Sequence, residues 1–159
     1  MPRLFEAAIN FFKADEWPFT QVEGRPVLRL GFEGDNGRWF CYADAREKQN
    51  LFLFYSVCPV NTPAEMRPAM AEFLTRANFD LPIGNFEMDF EDGEIRYKTS
   101  IDAEDDLLSD ALIRNLVYAN IYTMDRYLPG IMNVLNGDAS PPEAIAQIEG
   151  NGQQLRSLP

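Results

Sequence analysis

The chain has 159 residues, 46% of them apolar, which fits one domain with a real core. Its formal net charge is −11, from 25 acidic and 14 basic residues, and that field repels phosphate, so nucleic acid and anionic membrane are poor partners. It contains no histidine, which removes Ser-His and Cys-His nucleophile pairs, the commonest general base and histidine-based zinc ligation.

The amino end, MPRLFEAAINFFKADEW, predicts a helix from Pro2 to Ala14 with Phe5, Ala8, Ile9 and Phe12 on one apolar face. Glu6, Asn10 and Lys13 interrupt it, so it does not read as a signal peptide, and no apolar run approaches the roughly 18 residues that span a bilayer. Trp17-Pro18 ends the helix, because the residue before proline is pushed out of the α region. A short extended stretch, Phe19 to Val22, and a turn at Glu23-Gly24-Arg25-Pro26 lead to the first full strand, Val27 to Glu33. There Leu28, Leu30 and Phe32 alternate with Arg29, Gly31 and Glu33, so one face is buried.

Gly34-Asp35-Asn36-Gly37 predicts a hairpin turn, since both glycines and Asn36 tolerate positive φ. The next strands, Arg38 to Ala43 and Leu51 to Cys58, are apolar on both faces. Trp39, Cys41 and Ala43 oppose Phe40 and Tyr42; Leu53, Tyr55 and Val57 oppose Phe52 and Phe54. Strands of this kind are covered on both sides. The loop could hold two to four residues, and a slip of one residue exchanges the faces, so the register stays open.

Thr62-Pro63-Ala64-Glu65 fits a capping box, and Met66, Met70, Phe73, Leu74 and Ala77 make the stripe of a second helix. Pro68 can delay its regular part, and Asn78 ends it by accepting a left-handed conformation. Phe86, Met88 and Phe90 then alternate with Glu87, Asp89 and Glu91, Asp92-Gly93 turns, and Ile95, Tyr97, Thr99 and Ile101 alternate with Arg96, Lys98 and Ser100. Acid on one strand faces base on the other across a wet face. The longest helix is predicted from Ser109 to Asn136, kinked at Pro129 and ended by Gly137. Ser140-Pro141-Pro142-Glu143 opens a short fourth helix. Residues 1–149 read as a single α+β domain and 150–159 as a disordered tail.

No phosphate loop or dinucleotide fingerprint is present. Cys41 and Cys58 are too few for a disulfide framework or a zinc site of their own. They are expected to be reduced, in the cytoplasm, and their apolar surroundings disfavour thiolate. Glu87, Asp89, Glu91, Asp92 and Glu94 form one acidic cluster and Asp102, Glu104, Asp105 and Asp106 another; neither has calcium-loop spacing, and both read as solvated surface. Tyr118, Tyr122 and Asp125 form a polar-aromatic edge of the long helix, read as core margin. The expectation is therefore no catalytic residue, no metal and no cofactor.

Trp39 with Cys41 after the hairpin glycine, Leu53 to Val57 before a proline, and Phe73-Leu74 with Asn78 form an ordered pattern. Gly84, Phe86-Glu87, Asp89, Gly93-Glu94-Ile95 and Tyr97 through Asp102 complete it. From about Trp17 to Ile145 the chain resembles the YbjN family of bacterial proteins. That family is described as sensory transduction regulators, with members similar in fold to type III secretion chaperones and no agreed catalytic residues. The resemblance implies a non-enzymatic regulator or adaptor working by protein contact. A chaperone-like dimer holding an extended client segment and a small-ligand sensor are the alternatives.

The combined expectation is an antiparallel five-stranded sheet in the order α-β-β-β-α-β-β-α, with the first and third helices on one face. Phe40, Tyr42, Phe52 and Phe54 are assigned to the helix-covered side, because they add most to Leu28, Leu30 and Phe32. Trp39, Cys41, Leu53, Tyr55 and Val57 are then the candidate face for a protein partner or a second copy, unless the second helix covers them.

Overall fold

A computed structural model describes residues 2–104 and 108–150. Helix α1 (Arg3–Ala14) is followed by strands β1 (Phe19–Gln21), β2 (Val27–Glu33), β3 (Arg38–Arg46) and β4 (Leu51–Val57). Then come α2 (Arg67–Asn78), β5 (Asn85–Met88), β6 (Ile95–Asp102), α3 (Asp110–Leu135) and α4 (Pro141–Glu149). Short 3₁₀ turns, Glu47–Gln49 and Ala64–Met66, precede β4 and α2. Asp105 and Asp106 of the second acidic cluster, and the predicted tail beyond Gly150, lie outside the described residues.

The sheet has six strands, not five, in the order β1-β2-β3-β4-β6-β5, and every pairing is antiparallel. The extra strand is the extended stretch after Trp17-Pro18: Phe19, Thr20 and Gln21 pair with Leu30, Arg29 and Leu28. Three residues are too few to show a period, and only their partner strand makes them part of the sheet.

The β2–β3 register decides the faces. Glu33 pairs with Arg38, so the loop holds four residues, and Phe32 faces Trp39 while Leu30 faces Cys41. Trp39, Cys41, Ala43 and Ala45 thus join Leu28, Leu30 and Phe32 on the helix-covered side. In β4 it is Phe52, Phe54 and Ser56 that point there, opposite Ala45, Ala43 and Cys41. The expected assignment is reversed for β3 and holds for β4. The predicted hairpin turn forms at these four loop residues, but not through positive φ: none of Gly34, Asn36 and Gly37 adopts it. Gly34 is needed for room instead, since a Cβ there would lie 2.6 Å from Asp125 Cγ.

The helices lie on one side of the sheet. α1 covers β3, α3 crosses β4 and β6, α2 packs on β5, and α4 packs on α2 and α3. Leu4, Phe11, Phe12, Phe73, Ile113, Val117, Ile121 and Ile131 fill the core between them. Phe11 and Leu4 take the place expected for Ile9, which is only partly buried. α3 is tied to the sheet by Asn120, whose buried amide donates to Phe54 O at 2.8 Å and Tyr97 O at 3.0 Å. Thr99 returns a bond from the sheet to Leu116 O at 3.0 Å.

Two helix starts differ in mechanism. The Ser140–Glu143 capping box forms as the sequence predicts. The one expected at Thr62 does not: Thr62 Oγ1 makes no bond, and its backbone N donates instead to Gly93 O at 2.8 Å. Chain entry through Pro63 and a 3₁₀ turn carries Thr62 toward the β5–β6 turn rather than over the helix end.

Candidate protein-interaction surface

With all described helices on one side, the other sheet face carries no helix. It is built from alternate residues: Val27, Arg29, Gly31 and Glu33 of β2; Arg38, Phe40, Tyr42, Asp44 and Arg46 of β3; Leu51, Leu53, Tyr55 and Val57 of β4. Arg96, Lys98 and Ser100 of β6 and Glu87 of β5 complete it. This face holds a cavity of about 950 Å³ whose lining includes Arg25, Val27, Phe40, Tyr42, Tyr55 and Arg96.

Of the five residues named from sequence, Leu53, Tyr55 and Val57 lie on this face. Trp39 and Cys41 lie beneath the sheet, tied to Ser56: Trp39 Nε1 donates to its Oγ at 2.9 Å, and Cys41 Sγ sits 3.6 Å from it. Phe40 and Tyr42 take their places on the open side, paired with Val57 and Tyr55. Period-two alternation placed each set of side chains together, but the sequence could not say which set faced the helices.

The face is less greasy than a continuous apolar patch. Leu53 and Tyr55 are each 6% exposed, while Phe40 is 48% exposed and, among the described residues, is the one large apolar residue on this face that stands well out. Arginines lie over the rings: Arg29 Cζ is 3.7 Å from the centre of Phe40 and Arg96 Cζ is 4.3 Å from the centre of Tyr55. Gly31 stands opposite Phe40 in the ladder, and a Cβ there would touch the edge of the ring at 4.0 Å, an ordinary contact.

Charge on this face departs from the rest of the chain. Arg25, Arg29, Arg38, Arg46, Arg96 and Lys98 outnumber Glu33, Asp44, Glu87 and Glu94, in a chain of net charge −11. Arg38 pairs with Glu33 at 3.3 Å and Arg46 with Asp44 at 3.1 Å. Arg96 and Lys98 share Glu87, the cross-strand pairing the alternation predicted. Among the described residues, Arg25 and Arg29 have no carboxylate partner.

Of the polar-aromatic edge on α3, Tyr118 and Asp125 are structural ties, whereas Tyr122 is 63% exposed and does not line the core. Tyr118 donates to Asp15 at 2.7 Å, and Trp17 Nε1 donates to the same oxygen at 2.9 Å, joining α3 to the end of α1. Asp125 accepts from the backbone N of Asp35 and Asn36 at 3.1 and 2.8 Å and so holds the β2–β3 hairpin. Burial pushes the Cys41 thiol up to about 12 and the Cys58 thiol upward as well, which suits neither to nucleophilic work. Among the described residues no group of three or more acids and cysteines is placed to hold a metal ion, and no helix is long and apolar enough to cross a membrane.

The fold and face together define a small α+β protein with one helix-covered and one bare, arginine-rich side to its sheet. Residues 9–132 match the model of a family described as "YbjN: Putative bacterial sensory transduction regulator", and the chain belongs to that family. A search of curated proteins gave no match. Among solved structures the chain is similar to YbjN from E. coli, described as a putative transcription regulator: 12% identity, 84% of this chain, 90% of that one, TM-score 0.56. It is also similar to a chain of the HopA1-SchA chaperone-effector complex: 13% identity, 77% of this chain, 91% of that one, TM-score 0.51. Both likenesses concern the fold.

Proposed function

We propose that the protein is a non-enzymatic bacterial regulator or adaptor, working in the cytoplasm by protein contact through its open sheet face. The observation that carries this reading is the pairing of arginines with aromatic rings on the bare side, Arg29 on Phe40 and Arg96 on Tyr55. Arginine and aromatic residues are enriched in protein interfaces, and the aromatic rings bury much area at low cost in lost rotamer freedom. The regulator description of the family supports the same reading.

The test is capture of partners from host extract by the parent protein, Phe40→Glu, and a control, Leu112→Glu, which alters an exposed residue of α3. A partner held by the parent and the control but lost by Phe40→Glu is the expected result. A partner retained by Phe40→Glu would remove the open face from the reading.

A second reading, a chaperone-like dimer that holds an extended client segment, draws on the likeness to the chaperone-effector complex. It is favoured if the captured partner is a secreted protein bound through an unfolded segment.

A further inference from the structure

We infer that the open face receives the β5–β6 hairpin tip of a second copy of this chain, in a reciprocal two-fold dimer. This rests on reading the open face as a protein-contact surface, and it names one occupant of that surface.

The tip has the complementary chemistry. Asp89, Glu91 and Asp92 surround Phe90, whose ring is 57% exposed although sequence alternation had placed it on a buried face. The ladder ends at Met88, so Phe90 falls in the turn and loses its cover. A strand of four residues leaves an exposed aromatic ring set among carboxylates, while Phe40, the exposed ring on the open sheet face among the described residues, is overlain by an arginine.

The tip is also already ordered. Asp89 N donates to Glu94 O at 2.9 Å and Gly93 N to Asp89 O at 2.7 Å. The carboxylates of Asp89 and Asp92 accept from Glu91 N and Glu94 N at 2.8 and 2.9 Å. Arg67 on α2 holds Phe90 O at 3.0 Å. A rigid tip gives up little conformational entropy on docking.

On the receiving side, Phe40 offers a half-exposed ring, and Arg25 and Arg29 have no carboxylate partner among the described residues. A guanidinium lying over a ring keeps its N–H edge free for a carboxylate. Phe90 meets Phe40, and the tip carboxylates meet Arg25 and Arg29. The tip adjoins the cavity of its own chain, since Glu94 beside the turn lines it; tip and receiving face therefore lie close together, and a two-fold axis between two copies set face to face makes the same contact twice. The net charge of −11 on each copy opposes association. At physiological salt the Debye length is about 8 Å, so that repulsion is damped while the apposed pairs act within it.

Sedimentation at micromolar concentration near physiological salt tests the dimer. Intermolecular paramagnetic broadening tests its geometry: a spin label on Glu91→Cys in one copy, read on an isotope-labelled parent copy. The native Cys41 and Cys58 are buried, so the label goes to the new thiol. The expected result is a dimer with broadened amides at Arg29, Gly31 and Phe40, weakened about tenfold or more by Phe90→Ser and by Arg29→Glu. Both substitutions are on exposed residues, and core amide chemical shifts matching those of the parent confirm the fold of each variant. A strict monomer, a dimer indifferent to both substitutions, or broadening on the helix side overturns the inference. Partner capture that depends on Phe40 in a protein shown to be monomeric overturns this dimer while leaving the proposed function standing. A Phe90-dependent dimer with Phe40-independent capture does the reverse.

Discussion

The side chain of Asn78 bonds both backbone groups of Phe86: its Oδ1 accepts from Phe86 N at 2.6 Å and its Nδ2 donates to Phe86 O at 3.1 Å. β5 is an edge strand, so those groups face outward with no neighbouring strand. The last residue of α2 supplies an amide that acts as one peptide unit of a missing strand. This also corrects the reading of Asn78 as a left-handed cap, since Phe79 leaves the helix extended and the positive φ falls at Asp80.

Asn78→Ala is therefore expected to cost about 1–3 kcal/mol, since it orphans a donor and an acceptor that are partly buried. Urea unfolding measures the loss. Hydrogen exchange at the Phe86 amide should quicken more than exchange in β3. Asn78→Asp keeps the acceptor for Phe86 N and loses the donor, so it should fall between parent and alanine. Equal stability of all three proteins would falsify the edge-capping role.

Glu47 provides a cap from a distance. Pro2 at the start of α1 offers no side-chain acceptor, and the Glu47 carboxylate takes its place, accepting from Leu4 N and Phe5 N at 3.0 and 2.8 Å. An anion there also meets the positive end of the helix dipole. Glu47→Ala should lower stability by about 1–2 kcal/mol, close to the loss of an ordinary N-cap. A chain of this size then melts roughly 2–8 °C lower, at 2–4 °C per kcal/mol. Glu47→Gln should recover part of the loss, as its amide oxygen can accept only one of the two bonds well. A melting temperature unmoved by the alanine change would remove Glu47 from this role.

Cys41 should make the protein sensitive to alkali. Burial holds its thiol neutral up to about 12, against an ordinary 9.0. When the folded pKa is raised, the unfolded chain loses its proton first, so stability is intact below about 9 and falls as pH rises toward 12. The slope is about 1.4 kcal/mol per pH unit for one such group. Cys41→Ala should flatten the fall between these limits, at some cost in packing at all pH values. A stability profile of the same alkaline slope in parent and variant would show that other groups set it. In the folded parent at neutral pH neither thiol should react with a disulfide reagent, and both should react in denaturant.

Gly93 sits at φ +78 with its α carbon against the chain entering α2; a Cβ would overlap Thr62 O and lie 2.8 Å from Thr62 N. Those atoms are backbone, fixed by the Thr62 N to Gly93 O bond of 2.8 Å, so they have little room to yield. Gly93→Ala combines an unfavourable φ with a clash and should destabilise by about 2–4 kcal/mol. Gly24 is the control: its φ is +73 but nothing lies within 4 Å, so Gly24→Ala should cost only the conformational part, about 1 kcal/mol. Similar losses at the two sites would show that crowding at Thr62 contributes nothing.

Much of the fold was legible because period sets what a segment can be. The stripe Met70, Phe73, Leu74 and Ala77 and the alternation in Val27–Glu33 each allow one buried face, and the structure buries those faces. The acid–base hairpin was legible too, since Glu87 opposite Arg96 follows from alternation and a single turn. The face of β3 was not. Trp39-Phe40-Cys41-Tyr42 is apolar on both sides, so burial energy alone favours neither orientation, and a four-residue loop closed by Asp125, far along the chain, chose between them.

The sequence by itself determined the element types, the antiparallel character and the lack of histidine chemistry, because periodicity and composition are local properties. Only the tertiary structure decided that β1 joins the sheet, that every helix packs on one side and that arginines overlie the rings of the other. Those outcomes depend on contacts between residues distant in the chain, such as Glu47 with Leu4 and Asn120 with Phe54, which no local pattern encodes.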